Sequence, residues 1–246
     1  KLGKGLRVKL VVTEKNIAAQ KIADLLGVGK PKADKVYSTP VYRFERDGEE
    51  WVTIGLRGHI LEPNFVPALT YKKRGGWIGV DASGEMIPAD LPTDLPKPPF
   101  KKKKPFVPDG VELNAWKMDA LPYLIYAPIE KLPKEKDIIR SLKNLAKKAD
   151  SIVIATDFDR EGELIGSDAL TCIREVNEEA PVSRARYSAI TKEEITRAFT
   201  NLVELDVDLA QAGASRQDID LIWGAVLTRY LTLVKFAGYG HVRSSG

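Results

Sequence analysis

Residues 152–155, Ile-Val-Ile-Ala, form an apolar run without polar alternation, and the chain behind it turns acidic at once: Thr156-Asp157-Phe158-Asp159-Arg160-Glu161-Gly162-Glu163. An unbroken apolar run of this kind reads as a strand covered on both faces, which is the environment of a parallel sheet. Apolar residues then recur at 164, 165, 169, 170, 173 and 176, the spacing of one helix face. A buried strand that feeds a helix through an acidic turn restricts the chain to α/β architecture, with helices flanking a mostly parallel sheet. The same order stands at the other end. Val8 to Thr13 is nearly unbroken apolar sequence, Glu14 follows, and apolar residues at 18, 19, 22, 25 and 26 predict a helix.

Between these points the sequence predicts two strands, Tyr42 to Glu45 and Trp51 to Leu56, around Asp47-Gly48, a pair suited to a hairpin turn. From Pro63 to about Pro108 periodicity is lost and Pro and Gly accumulate, so a long irregular excursion is expected. Lys101 to Lys104, between Phe100 and Phe106, read either as a solvated loop or as an arm that touches phosphates. Asp137 opens a helix with apolar residues at 138, 139, 142, 145, 146 and 149 and with Arg140, Lys143, Lys147 and Lys148 on its other face. Arg186 to Ile190 reads as a further strand, Thr191 to Glu194 as a capping box, and the chain from about Asp206 as helix.

Among the 246 residues the formal net charge is +4, which permits a nucleic-acid partner without establishing one. The single cysteine, Cys172, cannot pair within the chain, and no CxxC or Cys/His cluster exists to hold zinc. A reducing cytoplasm is therefore the expected location. No run approaches the ~20 apolar residues of a membrane span, so no membrane partner is expected. Gly27-Val28-Gly29-Lys30 lacks the full spacing of a phosphate-binding loop and a following Ser or Thr, which argues against ATP.

The chemistry concentrates where strands end. Glu14 follows the first strand, and Asp157 and Asp159 follow a later one, at the edge where open α/β sheets hold their ligands. Together these carboxylates offer the hard oxygen donors that suit Mg²⁺. The alternative is that Asp159 or Glu161 serves only the N-terminus of the next helix.

Three segments occur in order: Leu10-Val11-Val12-Thr13-Glu14-Lys15-Asn16-Ile17-Ala18-Ala19, Gly58-His59-Ile60-Leu61-Glu62 and the acidic turn from Thr156 to Glu163. Together they resemble the Toprim domain of type IA DNA topoisomerases, and their wording is similar to archaeal-type topoisomerase I. The likeness continues through Ser188-Ala189-Ile190-Thr191 and Arg216 to Arg229. It implies a Rossmann-like Toprim fold over 1–190, with a Pro/Lys-rich insertion at about 63–115, and a partial helical DNA-binding domain over 191–246. It also implies single-strand cleavage through a 5′-phosphotyrosine, strand passage and Mg²⁺-dependent resealing. Glu14 and Lys15 become catalytic candidates. Glu14 either protonates the leaving oxygen or binds metal, and Lys15 supplies charge to the phosphate unless it is a plain surface lysine.

Glu14, Asp157, Asp159 and Glu161 become the metal candidates, and Arg160, Arg216, Asp220, Arg229 and His59 the DNA-binding ones. The alternatives are an intrahelical ion pair for Arg216 and Asp220, neutralisation of acidic neighbours for Arg160, and a hydrogen-bonded loop residue for His59. None of Tyr37, Tyr42, Tyr71, Tyr123, Tyr126, Tyr187, Tyr230 or Tyr239 has the setting of the family's nucleophile. The expectation is accordingly an N-terminal fragment whose partners are a single-stranded DNA segment and the remainder of its polypeptide beyond Gly246.

Overall fold

The computed structural model describes residues 7–72, 76–92, 94, 95 and 110–237. In chain order the elements are β1 (Val8–Thr13), α1 (Asn16–Leu26), β2 (Lys32–Val36), β3 (Thr39–Arg46), β4 (Glu49–Gly55), β5 (Leu61–Phe65), β6 (Ala68–Lys72), β7 (Gly76–Val80), β8 (Met86–Pro88) and β9 (Gly110–Glu112). They continue with α2 (Leu121–Leu124), β10 (Ile129–Pro133), α3 (Lys136–Ala146), β11 (Ser151–Ile154), α4 (Arg160–Arg174), β12 (Val182–Arg184), α5 (Lys192–Thr200) and α6 (Val207–Ala237). Two compact units emerge, one of residues 1–62 and 133–215, the other of 63–132 and 216–246.

In the first unit six strands take the order β12-β11-β1-β4-β3-β2. The four from β12 to β4 run parallel, whereas β3 and β2 are antiparallel additions. Alternation decides which layer each side chain joins. Leu10, Val12, Ile54, Ile152 and Ile154 face one side with Leu142 of α3 and Ile165 of α4. Val11, Trp51 and Val153 face the other with Ile22 of α1 and Phe199 of α5. Each such fully buried side chain contributes about 1.5–3 kcal/mol of burial free energy. The hairpin turn is as expected, with Asp47 and Gly48 both at positive φ.

Two expectations need correction. Residues 186–190 are not a strand. The strand there is β12, paired with Ile152 to Ile154, and the last pairing bond runs from the Ala185 N–H to the Ile154 carbonyl, where β11 ends. The span from Pro63 is not irregular throughout. Short strands β6 to β9 form a sheet in the order β8-β7-β6-β9, and β5 pairs with β10. Their interspersed glycines and prolines hide a period of two that lasts only three to five residues per strand.

This second unit has its own core around Leu69, Trp77, Leu113, Tyr123 and Leu124, joined by Ile222 and Val226 of α6. The units thus divide the chain differently from the boundary at residue 190. Lys101 to Lys104 lie outside the described residues. Among the described residues, no helix is long and apolar enough to cross a membrane.

Candidate functional site

Strands β1 and β11 are parallel neighbours, with Val12 opposite Ile154, so the chain leaves both at the same sheet edge. Glu14 follows β1 directly, and its side chain is 15% exposed. The Lys15 ammonium lies 3.0 Å from Glu14 Oε1 and 3.9 Å from Asp157 Oδ2, so one cation joins carboxylates delivered by two strands. The Glu14 hydrogen bond, followed by the charges of Glu14, Asp157 and Asp159, raises the Lys15 pKa above its ordinary value. This lysine therefore stays cationic through the neutral range.

The backbone around it is fixed from several directions. Thr13 Oγ1 lies 3.1 Å from the Ile54 carbonyl and 3.0 Å from the Lys15 carbonyl, so its one hydroxyl proton can serve either. The Gly58 N–H donates to the Glu14 carbonyl at 3.0 Å from a turn in which Arg57 and Gly58 are both left-handed. At Gly55 a Cβ would stand 2.4 Å from Asn16 N, so the start of α1 can approach β4 only over a glycine. The turn at Arg57 and Gly58 carries His59 to Glu161, with Nε2 3.2 Å from Oε2.

Asp159 is the N-cap of α4, and its Oδ1 accepts from the Gly162 N–H at 2.7 Å. The structure thus brings Glu14, Lys15 and Asp157 into one contact set at the sheet edge, where Asp159 adds its charge to Lys15, and it gives Glu161 to His59. Among the described residues, no three His, Cys, Asp or Glu side chains close into a group that could hold a metal ion. The carboxylates instead meet an ammonium, a backbone N–H or an imidazole. Their chemistry suits a hard divalent cation in donor type, since all four are carboxylates.

Arg160 is exposed in the first turn of α4. The remaining candidates lie in the second unit. Arg216 Nε is 3.7 Å from Asp220 Oδ2 on the exposed surface of α6, an i,i+4 pair worth only a few tenths of a kcal/mol. Arg229 is partly buried, donates to the Leu113 carbonyl and lies 5.7 Å from the Trp116 ring. Those contacts give it a packing role.

Sequence reasoning missed the support beneath the acidic turn. Arg184 and Glu163 are both fully buried, with Arg184 Nε donating to Glu163 Oε1 at 2.8 Å. The other guanidinium nitrogens reach the Ile154, Ala185 and Asp157 carbonyls, the last at 3.0 Å. The second Glu163 oxygen accepts from the Asp206 N–H. The available signal was a glutamate just ahead of the apolar face of α4, and an arginine inside the short strand β12.

Tyr187 lies below the same edge, buried, with its hydroxyl donated to the Ala155 carbonyl at 2.7 Å. Burial, and after it the Asp157 charge, push its pKa well above the ordinary tyrosine value. Since the unfolded chain ionises first, this group's contribution is complete below pH ~10 and is lost as pH rises toward the folded value. Alkaline unfolding monitored by fluorescence is therefore expected to show a stability decline above that pH, and Tyr187→Phe should flatten it. An identical decline in the variant would remove Tyr187 as the cause.

A family model described as Toprim domain matches residues 9–190. DNA topoisomerase 1 of Archaeoglobus fulgidus is 36% identical over 228 residues, which cover 91% of this chain and 27% of that protein. DNA topoisomerase 1 of Thermoplasma acidophilum is 34% identical, with 92% of this chain and 23% of the relative covered. Human DNA topoisomerase 3-alpha is 30% identical over 94% of this chain and 19% of its own length. The chain thus spans about a quarter, or less, of the length of these relatives.

Proposed function

This chain belongs to the Toprim domain family, and we propose that it is the Mg²⁺-binding portion of a type IA DNA topoisomerase, acting on a single-stranded DNA segment. The observation that carries this reading is the Lys15 ammonium between Glu14 and Asp157, at the ends of two adjacent parallel strands. In this reading a phosphodiester enters at the same edge. Lys15, held cationic by its carboxylate neighbours, balances charge that develops on the phosphate oxygens. Glu14 exchanges a proton with the leaving 3′ oxygen. Asp157 and Asp159 would hold the divalent ion, with Glu161, steadied by His59, outside them. A bound Mg²⁺ would supply charge neutralisation and positioning for the phosphate.

Arg160 and Arg216 contribute phosphate contacts, so DNA affinity falls as salt rises. The covalent step in this reading belongs to a tyrosine that this chain does not contain. Tyr187 is a poor nucleophile, because its hydroxyl is already donated and its ionisation is opposed. On α6 the apolar side chains Ile219, Trp223 and Leu227 are exposed.

The test is a Mg²⁺ titration of the chain followed by NMR. Resonances at Glu14, Asp157 and Asp159 should shift with weak affinity, and Asp157→Asn or Asp159→Asn should abolish the response. Lys15→Ala should tighten binding a few-fold, since it removes a competing but solvent-exposed charge worth at most about 1 kcal/mol. Unchanged titrations in both aspartate variants would move the metal elsewhere. Relaxation of supercoiled plasmid by the purified chain, lost in Asp157→Asn, would show that one of its own residues is the nucleophile.

A further inference from the structure

We propose that a basic groove on α3, distinct from the acidic edge, binds single-stranded nucleic acid through its phosphates and stacks one base on Tyr37. The inference goes beyond the proposed reaction and does not depend on it. Lys136, Arg140, Lys143 and Lys147, the C-cap of α3, recur at i, i+4, i+7 and i+11, so they line one face of the helix and its C-terminal cap over a length of about 16 Å. Together with Asn144 and Tyr37 they line a groove of about 440 Å³, and none of its lining residues is acidic. One of the four cations is already engaged, since Lys143 Nζ lies 2.6 Å from Glu175 Oε2. The other three are exposed.

Tyr37 distinguishes this groove from an ordinary solvated helix face. It sits in the tight turn between β2 and β3 with φ 53°, a left-handed conformation that glycine or asparagine adopts far more readily. Holding a bulky side chain there costs backbone strain, which the surrounding contacts must offset. The turn is fastened to the helix, because Ser141 Oγ lies 2.9 Å from both the Val36 carbonyl and Thr39 Oγ1. The guanidinium of Arg140 lies over the ring, 4.0 Å from its centroid, while Tyr37 remains 50% exposed.

An anchored aromatic with one face covered by a cation, beside a row of further cations, is a stacking platform joined to a phosphate track. An acidic peptide would use the cations and leave the ring idle. A duplex keeps its bases inside its own stack. A single strand uses both features, which decides between the occupants.

The test uses the whole chain and a short oligothymidylate carrying 5-iododeoxyuridine. Ultraviolet cross-linking followed by mass spectrometry should place the adduct on Tyr37. The triple variant Lys136→Ala/Arg140→Gln/Lys147→Ala should lose that adduct and lower the slope of log affinity against log salt by about 2, at ~0.7 for each phosphate no longer neutralised. Tyr37→Ala should weaken binding on the order of tenfold while leaving the salt slope unchanged.

Lys15→Ala/Arg160→Ala, at the acidic edge, should leave the Tyr37 adduct intact, which separates this groove from the reaction proposed above. The absence of a Tyr37 adduct, or an unchanged slope in the triple variant, would overturn the proposal. Competition by polyglutamate as effective as that by an oligonucleotide of equal charge would also overturn it, in favour of an acidic protein partner.

Discussion

Arg184→Met is expected to destabilise the first unit by about 3–5 kcal/mol, because it strands the Glu163 carboxylate in the interior without its partner. The pair is fully buried, and Arg184 serves four acceptors: Glu163 and the Ile154, Ala185 and Asp157 carbonyls. Methionine fills similar volume and supplies none of those donors. Urea unfolding should show a lowered midpoint with an unchanged slope, the signature of lost stability rather than altered compactness. Glu163→Met introduced beside it should recover much of the loss, since two packed apolar side chains replace one orphaned charge. A double variant no better than the single one would mean that the hydrogen bonds to the carbonyls carry the cost. Under the Mg²⁺ reading, Arg184→Met should also weaken the metal response, because the Asp157 carbonyl loses the donor that fixes the acidic turn.

That pair also marks the limit of what the sequence made legible. The strand and helix at each end of the site could be read, because periodicity distinguishes a buried strand from an amphipathic helix. Strands end at Thr13 and Ile154, helices begin at Asn16 and Arg160, and Glu14, Asp157 and Asp159 fall in the two turns between them. The expectation that Glu14 and the Asp157/Asp159 pair follow neighbouring strands rests on the shared strand-end pattern and the family resemblance, since neighbours in a sheet are fixed by long-range burial of both faces and not by any local signal. For the same reason Arg184, twenty-one residues from Glu163, could not be matched to it.

The small sheet of the second unit escaped for a local reason. Its strands are three to five residues long and broken by glycine and proline, too short for alternation to emerge. The basic row on α3 was visible as a charged face. Only the fold sets Tyr37 against it, through a turn whose sequence carries no glycine at the strained position.

Gly162→Ala is the second large effect, and it tests whether the acidic turn is held by close backbone approach. A Cβ at this position would stand 2.0 Å from the Asp157 carbonyl oxygen and 3.1 Å from Asp157 N, so backbone must move. The Gly162 N–H also donates to the Asp159 cap, and its carbonyl accepts from Thr156 Oγ1 at 2.7 Å, so displacement breaks two hydrogen bonds as well. Forcing a methyl into such a turn should cost about 3 kcal/mol, at the upper end of overpacking effects. Gly224 supplies the control. It lies within α6, where an added Cβ would meet nothing within 4 Å, and Gly224→Ala should stabilise by roughly 0.5–1 kcal/mol through helix propensity. Opposite signs at the two glycines, read by thermal unfolding, would attribute the cost at 162 to the Asp157 carbonyl. Equal effects would mean that the turn yields easily, and that Asp157 and Asp159 are not held in place by the fold before a ligand arrives.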